Sequence, residues 1–550
     1  MAIYNSVFNY ITRTSYAACS EKLQKELEDA RQEYEQSDHF FIPEDIKEKT
    51  ITRDAIVHAI RAGQSASQRP ERPQLVDDVY GNAKNLFSIL AYMKKGSEIR
   101  DFMDEGISDE DLPFERLRTG GKDMFSMRRK EGRKIETLER WNPKDREELS
   151  RVQWYMLSPV FHSRQHYKLH DNVVRPFVAL NPEEREQHHP TGGGYSNVFI
   201  TRIHSAHHKF HSIWPSTELE LKVAIKELLS PKRADFDKEK GILLDIGNDG
   251  HSHPNLVKLL ASFEQNRKFY LIFPCANSNL REYWNNRQGP ISDKETILWA
   301  LKQMKGIAEA LDKIHNFAVT MPLGVEGGVR IPQDGVKLSV KRGEEKFGRH
   351  GDIKPENILW FEHAPGSDSD GQAGILQIAD FGLGRFHGRD SRTEPWPHNV
   401  VGSPTYEPPE CELHCPVSRA YDLWGLGCLY LEFATWILMG NEAIGQFSTC
   451  RDRQSSLYPQ LTDDHFFTII RDEFNGQQKA VVREGVTKWV CDLHAHESCS
   501  QFLHDLLKLI MDSLLQPDAA HRIESKDLCS KFESFLVKAA EDNYLCASNP

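Results

Sequence analysis

The chain has 550 residues, 39% hydrophobic and 27% charged, with a formal net charge of −12. That length is too great for one compact core and suits two or three domains, and the composition is that of a globular protein rather than a disordered or fibrous one. The acidic balance argues against a general nucleic-acid binder, which needs a broad basic surface to neutralise phosphate.

The N-terminus from Met1 lacks the charged start and apolar core of a secretion signal. Residues 1–148 read as a mostly helical, polar region. Residues 63–70 read as a loop, after which Val76, Val79, Tyr80, Ala83, Phe87 and Leu90 recur at helical spacing and predict one apolar face over several turns. The run Arg128, Arg129, Lys130, Arg133 and Lys134 reads as a solvated basic face, with a nuclear address or an acidic-partner contact as sharper alternatives. The region carries no catalytic constellation and its function is not readable from the sequence, a protein partner being one option.

From residue 149 the pattern turns strand-like, and after residue 290 it turns helical. The stretch Thr191 to Phe199 joins two strand candidates through Gly192, Gly193 and Gly194, whose backbone amides can approach phosphate oxygens closely. Leu221 to Lys226 is an alternating strand ending on a lysine, and a helix predicted over 233–246 carries Glu239. Phe269 to Phe273 reads as a buried strand, followed by Pro274, Cys275 and Ala276. Ile297, Leu298, Leu301, Met304, Ile307, Ala308, Leu311 and Ile314 form a helical apolar stripe. Residues 318–347, rich in glycine and charge, read as a surface insertion. Residues 367–371 form a loop between strands at 358–361 and 376–379.

The densest chemistry lies in Arg349-His350-Gly351-Asp352-Ile353-Lys354-Pro355-Glu356-Asn357, followed by Asp380-Phe381-Gly382. It supplies a carboxylate to orient a hydroxyl, an ammonium to meet phosphate charge, and an amide and second carboxylate suited to Mg²⁺. Further on stand Val401 to Glu410, then Tyr421-Asp422-Leu423-Trp424-Gly425, then Arg522 after Pro517 and Asp518. Ten cysteines without a Cys-x-x-Cys pair point to reduced thiols in a cytoplasmic or nuclear setting, and no run of about 18 apolar residues predicts a membrane span. Cys411, His414, Cys415, Cys491, His494, His496 and Cys499 are metal-ligand types, but their spacings fit no standard zinc module and ordinary residues are the expectation.

This ordered set, spread over residues from about 190 to 525, resembles the eukaryotic protein kinase domain of serine/threonine type. The resemblance implies an α+β, two-lobed kinase-like fold with a β-rich N-lobe at 149–273, a hinge at 274–276, a helical C-lobe at 277–540 and a tail at 541–550. It implies ATP and Mg²⁺ as cofactors and protein hydroxyls as acceptors, the substrate itself being unknown. By that likeness Asp352 orients the hydroxyl, Lys354 neutralises transferred charge, Lys226 pairs with Glu239 and meets the α- and β-phosphates, and Asn357 and Asp380 hold the metal. Gly192, Gly193, Gly194, Val198, Ala224, Phe273, Cys275 and Leu359 line the nucleotide site in the same pattern, Asp422 anchors the catalytic loop, and Glu410 pairs with Arg522.

Four positions depart from the pattern. Thr191 and Ser196 stand where glycines are usual, Pro408 replaces an alanine, and Gly351 takes the place of the arginine that senses activation-segment phosphate. The Gly351 variant and the insertion resemble kinase-like proteins common in filamentous fungi. Loss of the arginine implies activity that does not depend strongly on phosphorylation at Ser391, Thr393 or Thr405. Two other readings stay open: a pseudokinase acting as a nucleotide-binding scaffold, and a small-molecule phosphotransferase of kinase-like fold.

Overall fold

The computed structural model describes the chain apart from residues 1, 34–38, 63–73, 120–121, 127–132, 188–190, 193–195, 216–219, 248–251, 288–289, 292, 317, 320–345, 348–349, 364–373, 381–403, 414, 416–417, 455–461, 472–475, 542 and 547–550. It folds as two compact units, one of Met1–Pro190, Val198–Ile225 and Leu260–Ile272, the other of Thr191–Asn197, Lys226–Leu259 and Phe273–Pro550. Compactness therefore sets no boundary at residue 148. Among the described residues no helix is long and apolar enough to cross a membrane.

In the first unit, helices Ala2–Asp29, Arg53–Ala62, Leu75–Asn82, Lys84–Tyr92, Ile99–Asp104 and Pro143–Met156 surround a continuous core that includes Leu27, Ile56, Val79, Phe87, Phe102 and Val152. The stripe expected to form a single face from Val76 to Leu90 is two helices, broken at Ala83 (φ −140°, ψ 31°). Gly81 and Asn82 are poor helix formers. The Asp109 carboxylate then restarts the helix by accepting from the N–H groups of Asn85 (2.9 Å) and Leu86 (2.8 Å), donors that the first turn leaves without intrahelical partners. Ala83 is fully buried, so the apolar stripe survives the break.

Lys47, on helix Glu44–Thr50, is buried, and its ammonium meets the Glu44 carboxylate at 2.6 Å and the oxygens of Asn85 and Met156 at 2.8 Å each. A buried charge persists only when so surrounded, and here it ties three helices together.

The same unit holds a sheet with strand order His166–Lys168, Ala261–Gln265, Lys268–Pro274, Leu221–Leu228, Ser196–Ile203 and Phe177–Val178. Ala261–Gln265 and Lys268–Pro274 pair antiparallel through a two-residue turn in which Asn266 and Arg267 both have positive φ, as such turns require. Along Leu221–Leu228 the residues Leu221, Val223 and Ile225 are buried, and period-two alternation sends Lys222, Ala224 and Lys226 to the opposite face.

One histidine joins the helices to this sheet region. His207 accepts from the Glu44 N–H through Nε2 (3.1 Å) and donates from Nδ1 to the Pro159 carbonyl (2.9 Å), with the Phe41 ring against it edge-on. Accepting at Nε2 needs the neutral ring, and burial lowers its pKa to about 4.

The second unit is built around helix Ala420–Met439, in which every residue from Tyr421 to Leu438 is buried. Helix Lys294–His315 starts on an Asp293 cap that accepts from the Thr296 N–H at 2.7 Å and turns the expected stripe inward. The Tyr430 hydroxyl donates to the Met304 carbonyl at 2.6 Å and locks the two helices together. Strands Ser278–Asn279, Ile358–Phe361 and Ile375–Ile378 form a small antiparallel sheet beside them. Of the expected insertion, Ala318–Val319 pairs with Lys346–Phe347, which brings its two ends together, and 320–345 lies outside the described residues.

The restart at Ala83 can be tested directly. Asp109→Ala leaves two helix-start N–H groups unpaired in a packed region, so we expect a loss of about 1–3 kcal/mol. Urea denaturation of the variant should show a lower midpoint; an unchanged midpoint would show that the cap contributes nothing.

Candidate active site

The site is anchored from beneath by Asp422, in the first turn of the buried helix Ala420–Met439. Its carboxylate accepts the backbone N–H of His350 (2.9 Å), the backbone N–H of Gly351 (2.7 Å) and Nε2–H of His315 (2.9 Å). Burial opposes its charge, but the bonds from His315 and Gly351 more than offset that and hold its carboxyl below the usual range. The helix can pass this close because residue 425 is glycine: a Cβ there would stand 3.1 Å from the Ile353 carbonyl oxygen.

His350 passes the constraint upward. Its Nδ1 accepts from the Asp352 N–H (3.2 Å) and its Nε2 faces the Ala379 carbonyl (3.1 Å). The tautomer protonated at Nε2 satisfies both contacts, donating to Ala379 and accepting from Asp352. One ring thus sets the backbone of Asp352 and that of the residue before Asp380.

Asp352 is partly buried, and two donors converge on its Oδ2: Lys354 Nζ at 2.9 Å and Asn357 Nδ2 at 2.8 Å. Asn357 Nδ2 also donates to the Asp352 carbonyl at 2.8 Å, which commits the amide nitrogen and presents Oδ1 as an acceptor. The Asn357 carbonyl in turn accepts the Ala379 N–H at 2.9 Å, so the Asn357 and Asp380 segments lie side by side.

Lys226 reaches Glu239 at 2.8 Å and Asp380 at 2.9 Å. Burial works against its ammonium, yet the charges of Asp380 and Glu239 prevail and raise its pKa. The Asp380 side chain is half-exposed, and the Lys226 ammonium holds its carboxyl below the ordinary value. Asp380 has φ +58°, a left-handed conformation that costs an L-residue about 1–2 kcal/mol, and it is held there by these contacts.

Further out, Glu410 and Arg522 form a buried pair with two parallel bonds of 2.7 Å, and Arg522 also donates to the Ala420 carbonyl at the start of the central helix. Arg281 bridges Glu356 (3.2 Å) and the buried Glu432 (2.9 Å), with the Tyr406 hydroxyl donating to the same Glu432 oxygen.

The structure therefore brings together Lys226, Glu239, Asp352, Lys354, Asn357 and Asp380. The remaining expected site residues sit on separate elements. Val198 and Ala224 lie on neighbouring strands of the first unit's sheet, half-buried. Phe273 is the penultimate residue of strand Lys268–Pro274, Cys275 follows the strand, and Leu359 lies on Ile358–Phe361. Gly192 is in the short strand Thr191–Gly192, paired with Ser196–Ile203. Gly193, Gly194, Arg349, Phe381, Gly382, Ser391, Thr393 and Ser403 lie outside the described residues. His315 was not anticipated: it closes an ordinary amphipathic helix, and no local motif marks it.

Residues 345–531 match the sequence profile of the protein kinase domain. The chain carries a protein kinase domain. Its relatives include Serine/threonine-protein kinase ATG1 of Mycosarcoma maydis, 26% identical over 237 residues that cover 41% of this chain and 22% of that protein. Aurora/IPL1-related protein kinase 2 of Caenorhabditis elegans is 28% identical over 246 residues, covering 44% and 61%, and Serine/threonine-protein kinase Nek8 of Danio rerio is 26% identical over 185 residues, covering 34% and 20%. The chain thus spans less than two thirds of each relative.

Two outcomes are expected from this kinase domain's geometry. Asp422→Asn offers one acceptor oxygen to three donors and should cost about 2–4 kcal/mol. The depressed carboxyls of Asp422 and Asp380 contribute stability above the unfolded pKa of about 3.9, and lose it as pH falls through their lower folded values. The acid limb of the stability curve, followed by circular dichroism below about pH 4, should therefore be shallower in Asp422→Asn than in the parent. Parallel acid limbs would rule out Asp422 as a contributor.

Gly351 has φ +83°, so any L-residue there is strained by about 1–2 kcal/mol. Gly351→Ala should lower the melting temperature accordingly, and a stabilised variant would contradict the assigned backbone.

Proposed function

We propose that this kinase domain transfers the γ-phosphate of ATP, with Mg²⁺, to serine or threonine hydroxyls of protein substrates. The observation that carries the reading is the convergence of Lys354 and Asn357 on one oxygen of Asp352, beside an Asp380 held by Lys226. Asp352 accepts a hydrogen bond from the acceptor hydroxyl, aims its oxygen at the γ-phosphorus and takes the proton late. Lys354 then offsets charge growing on the transferred group, and Lys226 meets the phosphates from the other side.

The donor set fits a hard cation. Asn357 presents an amide oxygen and Asp380 a carboxylate on adjacent backbone segments, and two ammoniums among three carboxylates leave the cluster formally negative. Bound Mg²⁺ would neutralise phosphate charge and hold the phosphate oxygens for in-line displacement.

We further infer that activity does not rest on phosphate at Thr405. That residue is buried and its hydroxyl donates to Asp464, so a kinase acting on it would have to open the packed chain first. The absence of an arginine at residue 351 supports the same reading.

The scaffold reading draws on Thr191 and Ser196 in the glycine-rich segment, where closer phosphate approach calls for glycine. Radiolabelled ATP with the purified chain and generic protein acceptors separates the two. Asp352→Asn should cut transfer by about 10³-fold or more while the nucleotide-induced thermal shift persists. Equal turnover in the variant would overturn the role of Asp352, and a thermal shift without transfer in the parent would favour the scaffold.

A further inference from the structure

We propose that the second unit contains a zinc site formed by His494, Cys499 and His504. His494 is the last residue of helix Glu484–His494, Cys499 precedes the cap of helix Gln501–Leu509, and His504 lies on that helix's first turn. Four residues separate each ligand from the next. The sequence alone grouped His494 and Cys499 with Cys491, His496 and a cluster near residue 411; folding recruits His504 instead, because the short connection turns the second helix back on the first.

The ligand atoms already converge. His494 Nδ1 and His504 Nδ1 are 2.7 Å apart with ring planes within 7° of each other, and Cys499 Sγ is 3.6 Å from His504 Nδ1. All three lie within 4.8 Å of one another, and Cys499 is buried. A tetrahedral zinc with nitrogen at about 2.0 Å and sulfur at about 2.3 Å holds those two ligands about 3.5 Å apart. The sulfur and nitrogen seen here stand at that separation.

Two zinc-bound nitrogens stand about 3.3 Å apart, so the imidazoles must part by about 0.6 Å. Without metal, the 2.7 Å contact is bridged by one N–H proton, and the cation takes over the place of that proton. Binding moves the donated hydrogen to the outer ring nitrogen and releases the Cys499 thiol proton to solvent, which leaves one thiolate and two neutral imidazoles.

The connection between the ligands is pre-ordered. Ala495 donates to the Cys491 carbonyl, the Cys499 N–H to the His496 carbonyl at 2.9 Å, and Ser500 caps the second helix by accepting from Leu503. Little chain entropy is then lost when the metal enters, and a mixed sulfur and nitrogen set selects zinc over magnesium or calcium. A fourth position is left to water. The metal would staple helices Glu484–His494 and Gln501–Leu509 together.

Cobalt(II) titration of the chelator-treated full chain provides the test. We expect one equivalent to bind with a near-ultraviolet thiolate-to-cobalt band, displaced by Zn²⁺, and we expect Zn²⁺ to raise the melting temperature. Cys499→Ser should abolish the band, and Cys491→Ser, at an exposed position on the helix that carries His494, should leave it intact. His504→Gln, which guards against misfolding of the cysteine variant, should weaken binding by more than about tenfold. Absence of a stoichiometric band, or a band that survives Cys499→Ser, would show that the three residues form only a hydrogen-bonded histidine pair beside a thiol.

Discussion

A single buried carboxylate sets the geometry on which the candidate site of the second unit depends. Placing Asp422 inside a helix that is buried on every side would cost several kcal/mol if the charge stood alone. It does not stand alone: two backbone N–H groups and one imidazole N–H surround it. Because two of those donors are main-chain groups of the loop, the carboxylate fixes backbone rather than a side chain. His350 then extends the constraint to Asp352 on one side and to Ala379 on the other. The position of Asp380 is thereby tied to the helix floor through one ring.

Charge distribution follows from that scaffold. Lys226 is the one cation in direct contact with both Glu239 and Asp380 among the described pairs, and Lys354 is held against Asp352. Each ammonium is matched to acceptors at 2.8 to 2.9 Å, so neither is free to wander before a ligand arrives. Preorganised charges of this kind need not reorganise when phosphate charge develops, and that is where electrostatic stabilisation of a transfer step originates. The left-handed backbone at Asp380 belongs to the same economy of constraint, since contacts from Lys226 hold a conformation the residue would not adopt by itself.

Much of this was legible in the sequence for a chemical reason. Phosphoryl transfer demands a carboxylate, an ammonium and hard oxygen donors at short spacing, so Asp352, Lys354, Asn357 and Asp380 declare themselves. The pairing of Glu410 with Arg522 was readable only through resemblance, because 112 positions separate the partners. What stayed hidden depended on distant partners with no local signature. The Val76 to Leu90 stripe runs over two helices, the second of them started by Asp109 capping from another segment. His207 joins the N-terminal helices to the sheet region across 163 positions. His504, which meets His494 and Cys499, sits in a strongly amphipathic helix where a histidine looks ordinary.

Gly351 gains its meaning only from the backbone. Read as a letter, it is a missing arginine; read as a conformation, it is a residue at φ +83° whose N–H must point into Asp422 at 2.7 Å. Glycine meets that demand without strain, whereas any side chain would charge its conformational cost to the loop. Under the proposed function, glycine here also means that residue 351 offers no guanidinium to answer a phosphate. On our reading these two effects reinforce each other. A loop already relaxed in its anchored form has less need of an external charge to hold it there, and Thr405, buried with its hydroxyl committed to Asp464, offers no ready phosphate to supply one.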